Sequence, residues 1–144
     1  MCSVRADARA AAVTLLEAYK ADADIKLSVY PGRPRSILPP HAFVDRITER
    51  TSYPAGTPPQ RTVSVEVVVV HGLFDSKEAV DQADAFGDGF LDWITDEPHA
   101  AGANRTIGVD SIDDEPDWVN DWMPPEKQGV HYATRITLEV YDPG

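Results

Sequence analysis

The chain has 144 residues, 42% of them hydrophobic and 26% charged, which suits one packed domain and not a disordered chain. The formal net charge is −11, and a stable nucleic-acid complex is therefore not expected, because such binders carry a basic face. No apolar run approaches the roughly 18 residues of a membrane span.

The opening stretch MCSVRADARA has Arg5 and Asp7 where a signal peptide would carry its apolar core. The expected setting is a cytoplasm, or an assembly built there. Cys2 is the sole cysteine, so no internal disulfide can form, in keeping with that setting. Charge is unevenly spread. Residues 1–70 hold nine Lys/Arg and seven Asp/Glu, a net +2, whereas residues 71–144 hold four and seventeen, a net −13.

Ser3 is a candidate cap for a helix running to about Asp22. Val4, Ala8, Ala11, Ala12, Leu15, Leu16 and Tyr19 recur at three- and four-residue spacing, giving one apolar stripe. IKLSVY (25–30) reads as a short strand, and the proline-rich PGRPRSILPP (31–40) as a connector. HAFVDRITER (41–50) alternates like a strand, with Phe43, Asp45 and Ile47 on one face and Val44 and Arg46 on the other. TSYPAGTPPQ (51–60) is a turn-rich loop. RTVSVEVVVVHG (61–72) is the clearest strand: Val63, Val65, Val67 and Val69 face one way, and Ser64, Glu66, Val68 and Val70 the other. Half of that second face is apolar, which predicts partial cover there as well.

Asp75 and Glu78 fit a capping box that opens a second helix, predicted to run to about Thr95 and to stop before Pro98. Within it, DQADAFGDGFLD (81–92) has the density of carboxylates found in metal loops. A calcium loop starting at Asp84 would need an oxygen ligand at Phe86 and a bidentate carboxylate at Thr95, and both positions fail. At about 100° per residue, Asp81, Asp84, Asp88 and Asp92 fall within roughly 80° of arc. Ala79, Val80, Ala83, Phe86, Phe90, Leu91 and Ile94 gather on the opposite side. The stretch therefore predicts an amphipathic helix with an acidic ridge. Gly87 lies toward the apolar side, where close contact with a sheet would use its missing side chain.

Residues 98–130 read as irregular and acidic, with RTIGVDSI (105–112) a candidate strand inside them. HYATRITLEVY (131–141) is a closing strand with Tyr132, Thr134, Ile136, Leu138 and Val140 on one side. The predicted class is α+β: a mostly antiparallel sheet of four to five strands, two main helices packed on one face, in the order α-β-β-β-α-β-β. The whole of 1–144 is expected to form a single domain.

Catalytic patterns are missing from the sequence. His41, His71, His99 and His131 show no metal-ligand spacing, and no nucleophile elbow, phosphate loop or dinucleotide fingerprint occurs. DDEPDW (113–118) is rich in carboxylates, but density does not define an acid pair. Neither an enzyme nor a metal or cofactor site is expected. Trp118 and Trp122 stand four apart, as cover for the edge of the core or as anchors at a subunit interface. Arg33, Arg35, Arg50 and Tyr53 are further interface candidates, on or beside loops whose prolines reduce the entropy lost on ordering. The ridge Asp81/Asp84/Asp88/Asp92 is either a solvated face or a working acidic surface.

Taken together, three pieces resemble the tail-terminator (tail-completion) proteins of long-tailed, non-contractile bacteriophages. One is the first helix followed by IKLSVYPGRP; another is RTVSVEVVVVHG running into KEAVDQADAFGDGFLDWI; the third is IGVDSIDDEPDW, a loop, and HYATRITLEVY. The loop at 113–130, with its two tryptophans, is longer than the family pattern. The resemblance implies a structural virion protein with no enzymatic activity. It would form a hexameric ring on the tail-tube protein, stop tube polymerisation, and offer the head-tail joining surface to a connector or stopper protein. Genomic DNA would pass through such a ring without specific binding, and the acidic ridge, if it lined the lumen, would repel phosphates. Its place would be the tail or neck of the virion, assembled in the host cytoplasm. A head-side neck connector is the nearest alternative, and an intracellular binding adaptor unrelated to phages a more distant one.

Overall fold

A computed structural model describes residues 4–35, 40–52, 55–56, 60–73, 77–96 and 106–141. Helix α1 spans Val4–Ala23, and the strands β1, β2 and β3 follow at Ser28–Tyr30, His41–Ser52 and Gln60–Leu73. Helix α2 spans Lys77–Asp96; β4 runs Thr106–Val119 and β5 Val130–Tyr141, with a short 3-10 turn at Pro125–Lys127 between them. The order α-β-β-β-α-β-β is the one the sequence predicts. Ser3 and Asp75, the two candidate caps, lie outside the described residues.

Helix α1 ends at a left-handed residue, Asp24, with φ 53°. Its N–H bonds to the Ala21 carbonyl and the next N–H, of Ile25, to that of Lys20. This paired closure satisfies two carbonyls that the helix end would otherwise leave open. Aspartate is among the few residues besides glycine that visit this conformation.

The sheet has five strands in the order β1-β2-β3-β5-β4. Only the β1–β2 pair is parallel; β2–β3, β3–β5 and β5–β4 are antiparallel. Helix α2 carries the chain from β3 past the position of β5 to β4, and β5 then fills the gap between them. Both helices lie on one sheet face. Their main core joins Leu15, Leu16, Phe86 and Phe90 to Val65, Val67, Ile136 and Leu138. Helix α1 touches β1, β2 and β3, while α2 touches β3, β5 and β4. The side-chain alternations of β3 and β5 agree with the sequence reading.

Four details differ from it. Strand β1 has three residues instead of six. In β2, a bulge at Asp45 shifts the register between Val44 and Arg46. Ile47 therefore pairs with Val65 and packs on the helix-side core, whereas Arg46 stands opposite Glu66 on the open face. One extra residue reverses the alternation beyond it, which no period-two pattern reveals. Strand β4 continues through DDEPDWV, where an irregular segment was expected. It can do so because it is an edge strand: the register shift between Glu115 and Trp118 takes Pro116 out of the ladder, where its missing N–H costs nothing. Leu91, placed by angle on the apolar side of α2, is 46% exposed.

The close contact expected at Gly87 occurs instead at Gly89, against the other helix. A methyl group at Gly87 would meet only Ile112 Cγ2, at an ordinary 3.8 Å, so no close approach to the sheet requires glycine there. At Gly89 a methyl would fall 2.7 Å from the hydroxyl oxygen of Tyr19. Tyr19 is the residue of α1 that reaches α2. Its ring meets Phe86, Phe90 and Trp93 at centroid distances of 5.4, 5.2 and 5.3 Å, and Trp93 Nε1 donates to Asp22 at 2.8 Å. A ring held by three others cannot swing aside freely, so Gly89 sets how closely the helices meet.

Gly89→Ala is expected to lower unfolding stability by about 1–3 kcal/mol despite its better helix propensity. Gly87→Ala is expected to be neutral or stabilising by up to about 1 kcal/mol. Urea denaturation measures both, and adding Tyr19→Phe to Gly89→Ala should recover part of the loss.

Candidate interaction surfaces

The sheet face opposite the helices is covered in part by the chain itself. Phe43, Val68, Val70 and Ala133 project from it, and Trp118 and Trp122 lie across them. The tryptophan rings stand 5.5 Å apart, and each meets Phe43, at 5.9 and 5.4 Å. The strand end and the turn after it, not a helical turn, bring the pair together. The turn is held by Asn120, nearly fully buried, whose Nδ2 donates to the Lys127 carbonyl at 3.0 Å while its Oδ1 accepts from the Gly129 N–H at 2.7 Å. Trp118 is 8% exposed and gives most of its ring to this inner cluster. Trp122 is half-buried and donates from Nε1 to the Pro34 carbonyl at 3.2 Å.

Arg33 completes the same patch. Its guanidinium lies 5.0 Å from the centre of the Trp122 ring, and its Nε donates to Asp45 at 2.8 Å. Asp45 also accepts from Arg135 Nη1 at 3.0 Å, and Arg135 Nε donates to Glu115 at 2.8 Å. The chain Arg33–Asp45–Arg135–Glu115 thus ties the 31–35 connector, β2, β5 and β4 together across the open face. Burial alone would raise the Asp45 pKa, but the hydrogen bonds and charges of Arg135 and Arg33 outweigh it and hold the pKa below the usual value. Burial works against the Arg135 charge too, and there the bonds to Glu115 and Asp45 win and raise its pKa. Sequence reading brought Arg33, Trp118 and Trp122 forward separately and missed Asp45, Arg135 and Glu115. The available signal was an acidic residue at 45 and a basic one at 135, each on the same strand face as a buried apolar neighbour, Phe43 and Ala133.

The other predicted interface residues are dispersed. Arg50 is exposed on β2 beyond the part that β1 covers, since β1 pairs only with His41, Ala42 and Phe43. Arg35 is exposed in the connector, and Tyr53 lies outside the described residues.

Asp81, Asp84, Asp88 and Asp92 are all exposed along α2. Asp84 and Asp88 form one wall of a groove of about 330 Å³ between α2 and β4; on the β4 side Asp114, which accepts from Tyr132 and Thr134, faces it, whereas the register opposite Arg135 turns the Asp113 side chain to the open face. Its floor is apolar, from Leu91 and Ile112. Among the described residues no group of three or more His, Cys, Asp or Glu side chains is arranged to hold a metal ion. No described helix is long and apolar enough to cross a membrane.

A second, mainly apolar cavity of about 460 Å³ lies near the end of α1, lined by Tyr19, Leu27, Val69, Phe86 and His71 among others. His71 is the extra residue of a bulge between Val70 and Gly72 and faces the helix side with Val69 and Phe86, 7% exposed. Its Nε2 lies 2.8 Å from Thr134 Oγ1. The Thr134 hydroxyl donates to Asp114 at 3.3 Å, so the proton between His71 and Thr134 belongs to the imidazole. Burial lowers the His71 pKa to about 4, against a smaller opposing pull from Asp114.

No protein-family model matches the chain, and comparison with curated proteins finds no significant match. Fold and surface geometry therefore carry the functional reading.

Two predictions follow from the buried polar groups. A histidine whose folded pKa lies below its unfolded value stabilises most above the unfolded pKa. For His71 that contribution, on the order of 2–3 kcal/mol, is lost as pH falls from about 6.5 to about 4. His131, whose pKa is also lowered by burial, acts in the same direction. Denaturation midpoints between pH 7 and 4 should fall less steeply for His71→Gln than for the wild type. Arg135→Met leaves two neighbouring carboxylates without their shared partner and should cost about 1–3 kcal/mol, discounted for partial exposure, as read by urea denaturation at neutral pH.

Proposed function

We propose that the protein is a structural component of a long-tailed bacteriophage virion, a terminator ring that caps the tail tube and offers the joining surface for the head. The observation that carries this reading is the match between the three family-like segments and the folded elements. The first piece is α1 running into β1; the next is β3 running into α2; the last is β4, its turn and β5. Together they make the small α+β domain that the family resemblance implies. The long sheet also ends in two strands with open outer edges among the described residues: β4 throughout, and β2 beyond Phe43. A domain built this way has two different flanks, which suits the repeated heterologous contact that a closed ring needs.

On this reading, six copies in a ring multiply the acidic charge around the axis. If the α2 ridge faces the lumen, DNA phosphates are repelled in transit. The partners are further copies of the chain, the tail-tube protein and a head-tail connector or stopper, with assembly in the host cytoplasm.

The test is electron microscopy of particles assembled without this protein. Abnormally long tails lacking heads are expected. Tails of normal length that fail to join heads would move the assignment to a head-side connector, and normal complete virions would remove both.

A further inference from the structure

Strand order separates the charges of this chain onto opposite flanks. On one flank, β2 leaves its outer edge open beyond Phe43, and Arg46 and Arg50 stand there on the open sheet face, with 73% of the Arg46 side chain exposed. On the other flank, α2 and the edge strand β4 enclose a groove lined by Asp84, Asp88 and Leu91 of α2 and by Ile112 and Asp114 of β4. The sheet order β1-β2-β3-β5-β4 puts two strands between β2 and β4, so one copy cannot close this contact on itself.

We infer that the α2–β4 groove of one copy receives Arg46 or Arg50 from the β2 edge of the next copy. The groove suits an arginine better than a bare cation. Its floor accepts the aliphatic stem, and carboxylates on both walls accept the forked N–H donors of the guanidinium. Arg33 is not the occupant, because Asp45 at 2.8 Å and the Trp122 ring hold it closely, whereas Arg46 is paired more loosely, with Glu66 at 3.8 Å. Charge also selects the symmetry. A twofold contact built on a single flank would set the acidic groove against itself, or the arginine edge against itself, and like charges would oppose both. A head-to-tail contact pairs opposite charges at every joint, and such contacts generate rings.

This joint rests on the ring reading for its closure, and two charge reversals separate the two. Arg46→Glu/Arg50→Glu reverses the edge, and Asp84→Lys/Asp88→Lys reverses the groove; both pairs are exposed, and circular dichroism confirms that each variant folds. Native mass spectrometry and light scattering then read the assembly state. The wild type is expected to form a ring that weakens with added salt. Each variant alone should self-associate at least about tenfold more weakly. An equimolar mixture should assemble again, because the reversed edge fits the reversed groove and the native pair remains in the alternate joints. Variants that assemble like the wild type, or a mixture of folded variants that stays apart, overturn this joint and leave the ring reading standing. A wild-type chain that stays monomeric overturns both.

Discussion

Strand β3 has to be covered on two faces, and the fold supplies helices for only one. Its six valines from 63 to 70, at 63, 65, 67, 68, 69 and 70, are all buried. On the helix side the answer is simple: α1 and α2 divide the sheet between them and meet at Tyr19 and Gly89. On the other side, among the described residues, no helix lies against the sheet. Cover comes from the end of β4 and its turn, which fold two tryptophans over Phe43, Val68 and Val70. Burial of this kind of aromatic area is a large stabilising term.

The ionic chain Arg33–Asp45–Arg135–Glu115 belongs to the same solution. It borders the tryptophan patch and links β2 to β5 across β3, as well as β5 to its neighbour β4. Its members are partly exposed, so attraction is moderated by solvent, and much of its value lies in fixing one arrangement of the connector over the patch. Asp45 shares the face of Phe43, where its carboxylate sits between two arginines, and the bulge there turns Ile47 to the helices and Arg46 to the outside. That one backbone irregularity sets the charge of the outer edge.

The flanks follow from this arrangement. Strand β4 is protected against indiscriminate pairing by its carboxylates, by Pro116 and by two register shifts. Strand β2, by contrast, keeps an open outer edge with exposed arginines. A sheet whose two edges differ in chemistry favours a directed contact over a symmetric one. That property links the fold to the proposed ring, and it gives the uneven charge of the chain a spatial meaning.

Much was legible along the chain. The stripe of α1, the alternation of β3 and β5, and the amphipathic pattern of α2 follow from local periodicity, because each element must turn its apolar side to one core. These patterns also removed the metal-loop reading of DQADAFGDGFLD and made it a helix. Local periodicity does not carry the positions of single extra residues, so the bulges at Asp45 and His71 and their consequences were hidden. Nor does it carry distances between segments. Gly89 has meaning only because Tyr19, 70 positions away, comes to rest against it. Likewise, Trp118 and Trp122 became cover for Phe43 only when β4 was placed at the sheet edge. The sequence by itself determined the elements, their inward faces and the imbalance of charge. Tertiary structure alone decided which charges stand together and which flank each sign occupies, since strand order and register depend on contacts between residues far apart in the chain.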